Sequence, residues 1–204
     1  MKSRPAVIVL AAGTGSRFGA PGHKLTQRLG ASTVLGSTLR QAIASHLPVV
    51  VVTTDGLADS ARRYVASRDV VVLPEVGTPG PQPLGMGFSI AAGVSARPDA
   101  PGWLVLPGDM PMVQASTLAA VGAALEHHPV AYAQHRGRRG HPVGFSTELY
   151  SELVMLSGDE GARRLVARYP AFGVEVNDPG VLMDIDTEAD LAKLREVHAV
   201  HEAR

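Results

Sequence analysis

Short β-branched and aliphatic runs recur along the chain at 7–10, 49–52, 70–73 and 103–106, with helical patterns between them. A strand of four consecutive apolar residues is buried on both faces, which is the habit of a parallel sheet lying between helices. The connecting segments agree. Leu35, Leu39, Ala42 and Ile43 fall at helical spacing, residues 57–65 form a second candidate helix and 86–94 a third. The expected architecture is α/β, Rossmann-like and doubly wound around a mostly parallel sheet, with ligands bound at the carboxyl ends of the strands.

Beyond Pro129 the pattern changes. Residues 130–135 and 141–145 read as two strands joined by Arg136-Gly137-Arg138-Arg139-Gly140, either a hairpin or a pair of excursions from the main sheet. Helical stretches at 147–156 and 159–168 follow, then a last strand at 172–176. A terminal helix is capped by Thr187, with Glu188 and Asp190 in its first turn where the dipole favours acids. Residues 77–85 are too rich in Pro and Gly for a regular element and too short for a domain linker, so residues 1–204 are expected to form one domain.

Composition narrows the function classes. A chain of 204 residues that is 45% hydrophobic can bury a substantial core. With 19 basic and 19 acidic residues, it has no broad electrostatic footprint for nucleic acid or an anionic membrane. No uncharged apolar stretch approaches the roughly 18 residues of a membrane span. The absence of cysteine excludes disulfides and thiolate metal sites and suits a reducing cytoplasm. Charge is uneven locally. The first 54 residues hold no Asp or Glu but include Lys2, Arg4, Arg17, Lys24, Arg28 and Arg40, a region open to a polyanionic ligand.

The candidate chemistry lies on loops. The first strand ends in Leu10-Ala11-Ala12-Gly13-Thr14-Gly15-Ser16-Arg17, with Lys24 shortly after. Glycines there let backbone N–H groups approach phosphate oxygens, while Arg17 and Lys24 supply charge-assisted contacts. An ordinary tight turn accounts for the glycines equally well. A Walker loop is excluded because Leu25 follows Lys24, and a dinucleotide fingerprint because no acid precedes Asp55 to hold a ribose. A glycine loop followed by Arg and Lys suits a triphosphate. The fourth strand runs into Gly108-Asp109-Met110-Pro111, a bend that presents Asp109 to a hard cation or simply to solvent. Asp186 would complete that metal site if the fold returns it beside Asp109; a helix-start carboxylate is the other reading.

Gly87 and Ser89, at the start of a helix, would turn N–H and hydroxyl donors toward a ligand, and the arginines at 136–139 would hold an acceptor phosphate or be merely solvated. The scattered histidines form no metal set, and Gly144-Phe145-Ser146 lacks the form of a nucleophile elbow.

This set of motifs resembles the molybdenum cofactor cytidylyltransferases, within the wider MobA-like superfamily of NTP transferases. The resemblance covers almost the whole chain. It is carried by Leu10-Ala11-Ala12-Gly13 with Arg17 and Lys24, Gly85-Met86-Gly87 with Ser89, and Gly108-Asp109-Met110-Pro111. Further along it is carried by Arg136-Gly137-Arg138-Arg139-Gly140-His141-Pro142, Gly158-Asp159-Glu160-Gly161-Ala162-Arg163 and Asp184-Ile185-Asp186-Thr187.

Each motif is common alone; six in this order are specific. The resemblance implies a glycosyltransferase-A-like nucleotidyltransferase architecture and Mg2+, or Mn2+, held by Asp109 and Asp186. It assigns the nucleotide to Leu10, Ala11, Ala12, Gly13, Gly15, Arg17 and Lys24, with Arg17, Lys24 and Asp109 catalytic, and the pterin acceptor to Gly87, Ser89, Arg139, Gly140 and His141. The guanylyl branch usually has glycine where Ala12 stands, so CTP is the expected substrate. A molybdoenzyme would receive the product. The family commonly has Asp immediately before the lysine, where this chain has His23.

The implied reaction is attack of the pterin's terminal phosphate on the α-phosphorus of CTP, with loss of pyrophosphate. Rivals are the same transfer with GTP or another phosphorylated acceptor, an NAD(P)-dependent oxidoreductase, and a non-catalytic cofactor chaperone.

Overall fold

A computed structural model of the chain describes residues 3–13, 15, 18–19, 22–74 and 85–202. Its strands are β1 (Ala6–Ala11), β2 (Arg28–Leu29), β3 (Ser32–Thr33), β4 (Val49–Thr54), β5 (Val70–Leu73), β6 (Gly102–Pro107), β7 (Val130–His135), β8 (Arg138–Ser146) and β9 (Ala171–Glu175). Its helices are α1 (Val34–Ala44), α2 (Asp55–Arg62), α3 (Gly85–Ser95), α4 (Ala115–Ala124), α5 (Tyr150–Leu153), α6 (Arg163–Arg168) and α7 (Glu188–Glu202). Among the described residues, seven strands make one sheet in the order β5-β4-β1-β6-β8-β7-β9, while β2 and β3 pair separately. The four aliphatic runs are the core of β1, β4, β5 and β6, which pair in parallel. Only β8 is reversed, antiparallel to both β6 and β7, and β9 returns parallel to β7.

Side chains alternate across a strand, so β1 sends Val7, Val9 and Ala11 to one face and Ala6 and Ile8 to the other. Leu35 and Leu39 of α1, Leu57 of α2, Leu118 of α4 and Leu191 of α7 cover the first face. Ile90 and Val94 of α3, Leu153 of α5 and Leu165 of α6 cover the second. Burial on both faces is why β1, β4 and β6 are continuously apolar, whereas β5, at the edge of the sheet, leaves Val72 exposed. Gly93 brings α3 hard onto the sheet: a Cβ there would lie 2.3 Å from Cγ2 of Ile8.

Several expected boundaries change. The connection at 136–140 is a two-residue turn, because Arg136 and Gly137 both take positive φ (50° and 74°), so Arg138, Arg139 and Gly140 already belong to β8. Only Tyr150–Leu153 of the 147–156 stretch is α-helical, after a 3-10 turn at Thr147–Leu149. The 159–168 stretch becomes helical only at Arg163, since Gly158 and Gly161 bend the backbone through the left-handed region (φ 70° and 57°). Among the described residues no helix is long and apolar enough to cross a membrane.

Candidate active site

The carboxyl edges of β1 and β6 are bound to each other before any side chain is considered. The Gly108 N–H donates to the Leu10 carbonyl at 2.8 Å, and a Cβ on Gly108 would sit 2.9 Å from that oxygen. The Thr38 hydroxyl, buried in α1, donates to the Gly108 carbonyl at 2.9 Å. Gly108 is thereby held on both sides and the next residue, Asp109, emerges in a defined direction. Its own carbonyl accepts the Ile185 N–H at 3.2 Å, and this bond draws the segment before α7 across the edge of the sheet.

Lys24 completes the convergence. It opens a 3-10 turn (Lys24–Thr26), and its ammonium donates to Asp109 Oδ2 at 2.5 Å, to the Ile185 carbonyl at 2.9 Å and to Asp186 Oδ1 at 3.4 Å. Lys24 and Asp109 side chains are 14% and 15% exposed, enough shielding for the pair to exceed a surface ion pair. Asp109 Oδ1 is buried and has no partner among the described residues. A buried carboxylate oxygen left over in this way is a position that suits a cation. Asp109 and Asp186 also approach one and the same ammonium, at 2.5 and 3.4 Å. Among the described residues no three His, Asp or Glu side chains form a set that would hold a metal unaided. Two carboxylates fit magnesium or manganese if phosphate oxygens and water supply the rest.

The glycine loop lies beside this lysine. Leu10 and Ala12 are half-buried, Ala11 is buried and Gly13 is exposed, while Arg17 is outside the described residues. Gly15 (φ 64°) packs against the stem of Lys24, its Cβ position 3.4 Å from the lysine Cγ. His23 joins the two segments: one ring nitrogen accepts the Leu25 N–H at 3.2 Å and the other lies 2.8 Å from the Gly13 carbonyl.

The residues assigned to an acceptor behave differently from one another. His141 lies in β8 two residues before Val143, where the pairing with β6 begins, and its Nδ1 is buried with no partner among the described residues. Burial pushes the His141 imidazole below the usual histidine range, opposed by its hydrogen bond with the Val105 backbone and by the nearby charges of Asp109 and Asp184. Gly140 lets β8 pass against the Val181 carbonyl, 2.2 Å from where a Cβ would stand. Arg139 lies over the ring of Tyr132, 4.3 Å from its centroid.

The donors of Gly87 and Ser89 have partners within the protein. The Gly87 N–H donates to the Gly158 carbonyl at 2.8 Å and the buried Ser89 hydroxyl to the Gly85 carbonyl at 3.4 Å. Gly87 thereby joins the start of α3 to the loop at Gly158, while Ser89 bonds back within the helix.

Thr38, Ile185 and His23 were not among the residues expected to build the site. Thr38 stands as a lone hydroxyl on an apolar helix face, and Ile185 acts through its backbone, which carries no signature in sequence. His23 was visible beside Lys24, but nothing in the sequence disclosed its partners.

Residues 7–172 match the family model described as the MobA-like NTP transferase domain. The chain is 29% identical over 203 residues to the purine catabolism protein PucB of Bacillus subtilis, covering 92% of this chain and 94% of that protein. It is 35% identical over 130 residues to the bifunctional protein GlmU of Polaromonas naphthalenivorans, a match that takes in 61% of this chain but only 27% of that longer protein. Rv0371c of Mycobacterium tuberculosis superposes with a TM-score of 0.80 at 29% identity, covering 96% of this chain and 99% of that one. The same protein in complex with manganese gives a TM-score of 0.76.

Proposed function

The chain belongs to the MobA-like NTP transferase family, and on that premise we propose that it transfers CMP from CTP to the terminal phosphate of the molybdenum-loaded pterin, releasing pyrophosphate. The observation that carries this reading is the meeting of Lys24, Asp109 and Asp186, drawn from three distant parts of the chain, beside a glycine loop at the carboxyl edge of the sheet. Ala12 in the loop, in the light of the resemblance, favours CTP over GTP.

In this mechanism the N–H groups of the glycine loop, with Arg17 and Lys24, bind the triphosphate and offset its charge. Asp109 and Asp186 would hold magnesium or manganese, the latter being the ion in the Rv0371c complex, and the bound ion would supply positive charge to the phosphate oxygens. An oxygen of the acceptor phosphate bonds to the α-phosphorus as the bond to the β-phosphate oxygen breaks, and pyrophosphate leaves. A phosphate monoester is largely dianionic at neutral pH, its second pKa being about 6, so no side chain has to remove a proton. Orientation and charge neutralisation carry the rate. Arg139, Gly140 and His141 are assigned to the acceptor side, on the strength of the resemblance.

Pyrophosphate release from CTP and from GTP, with magnesium and molybdenum-loaded pterin, tests the assignment. CTP turnover that falls about a thousandfold or more in Asp109→Ala is expected. Faster turnover with GTP would reverse the choice of nucleotide, and turnover that persists in Asp109→Ala would remove the metal role.

A further inference from the structure

The two nitrogens of His23 do opposite jobs. Nδ1 accepts the Leu25 N–H at 3.2 Å, so it carries a lone pair there, and Nε2 sits 2.8 Å from the Gly13 carbonyl, an acceptor that only an N–H can satisfy. One protonation state meets both demands: the neutral imidazole with its proton on Nε2. The first bond caps the short turn that starts at Lys24, and the second reaches back ten residues to the glycine loop. Gly15 adds a contact between the same two segments, its Cβ position 3.7 Å from His23 Nε2 and 3.4 Å from the Lys24 stem. The far end of Lys24 is already held by Asp109 and Ile185.

We infer that His23 is a positioning residue that fastens the glycine loop to the Lys24 turn, so that loop N–H groups and lysine ammonium are presented to the triphosphate as one preformed unit. This rests on the loop and Lys24 being the triphosphate site. A side chain that only accepts hydrogen bonds could cap Leu25 but would repel the Gly13 carbonyl, and one shorter than histidine would cap without reaching it. The imidazole combines acceptor, donor and reach. Because the same preformed unit serves the bound nucleotide and the transition state, its loss raises KM and leaves kcat nearly unchanged.

The test uses the full chain. Long-range proton–nitrogen NMR, with His23→Gln assigning the signals, is expected to show Nε2 protonated and Nδ1 bare near pH 7.5 before any nucleotide is added. His23→Asn keeps an acceptor for Leu25 and lacks the reach to Gly13. It should melt close to the wild type while its KM and Kd for CTP rise about tenfold, the loss of one hydrogen bond with its ordering effect, and kcat stays within about twofold. The proton on Nδ1, or CTP bound equally by wild type and His23→Asn, would overturn the inference while leaving the transferase reading in place. Failure of the wild type to bind either CTP or GTP would overturn both.

Discussion

Lys24 gives its one positive charge to two carboxylates and a carbonyl, and Asp109 has a second oxygen with no partner among the described residues. Replacing Lys24 with methionine therefore removes more than the proposed phosphate contact: it takes from Asp109 and Asp186 the ammonium that both approach. We expect Lys24→Met to cost about 2 kcal/mol in denaturant unfolding at neutral pH, below the range for fully buried pairs because both side chains keep some solvent. In the same variant kcat/KM for CTP should fall about a hundredfold, the scale of one charge-assisted phosphate contact. An unchanged unfolding midpoint would mean that solvent already screens the acids. Lys24, Asp109 and Asp186 were legible in the sequence because each sits in a short motif at the end of a strand or the start of a helix. The Ile185 carbonyl and the Thr38 hydroxyl that aim them were not, since a backbone acceptor looks the same at every residue.

At the level of elements, α7 begins with reciprocal hydrogen bonds: the Thr187 hydroxyl accepts the Asp190 N–H at 3.2 Å, and Asp190 accepts the Thr187 N–H at 2.8 Å and its hydroxyl at 2.7 Å. These bonds from Thr187 hold the Asp190 carboxyl below its ordinary pKa. A depressed acid contributes stability that is complete above its unfolded pKa, about 3.9, and disappears as pH falls through the lower folded value. The melting temperature of Asp190→Ala should consequently lie below the wild type by a constant margin from pH 8 to 5, and the margin should close below about pH 4. A margin that persisted in acid would assign the loss to helix propensity instead. The cap was readable from Thr187 onward. Helix α4 was not, because Ala115–Ala124 is small and apolar all round and shows no amphipathic period. The β2–β3 pair, with two residues in each strand, is too short for any alternation to register.

Across the whole molecule, the parallel pairing of β1, β4, β5 and β6 was legible from the aliphatic runs, whereas their order in the sheet and the reversed place of β8 between β6 and β7 were not, since both are set by tertiary pairing. The proposed site spans residues 85 and 162 positions apart in sequence, so it exists only in the folded chain. Ligands of such a site stabilise the native state alone: CTP with magnesium at a hundred times Kd should add about 2.7 kcal/mol. The corresponding rise in melting temperature, followed by calorimetry as nucleotide is increased, should disappear in Asp109→Ala. A rise retained in that variant would place nucleotide binding elsewhere.

The reversed strand has a further consequence. The wall formed by β1 and β6 consists of strand ends threaded into helical crossovers, and changing it means rethreading the sheet. The side proposed for the acceptor is one arm of a hairpin turning at Arg136 and Gly137, its tip held by the Glu175 carboxylate through both of their N–H groups. Residues can be exchanged or added at that tip without disturbing the pairing of β1 with β6. The molecule is built like a vice with one jaw cast into the frame and the other bolted on, free to be recut for a new workpiece while the grip on the first stays the same.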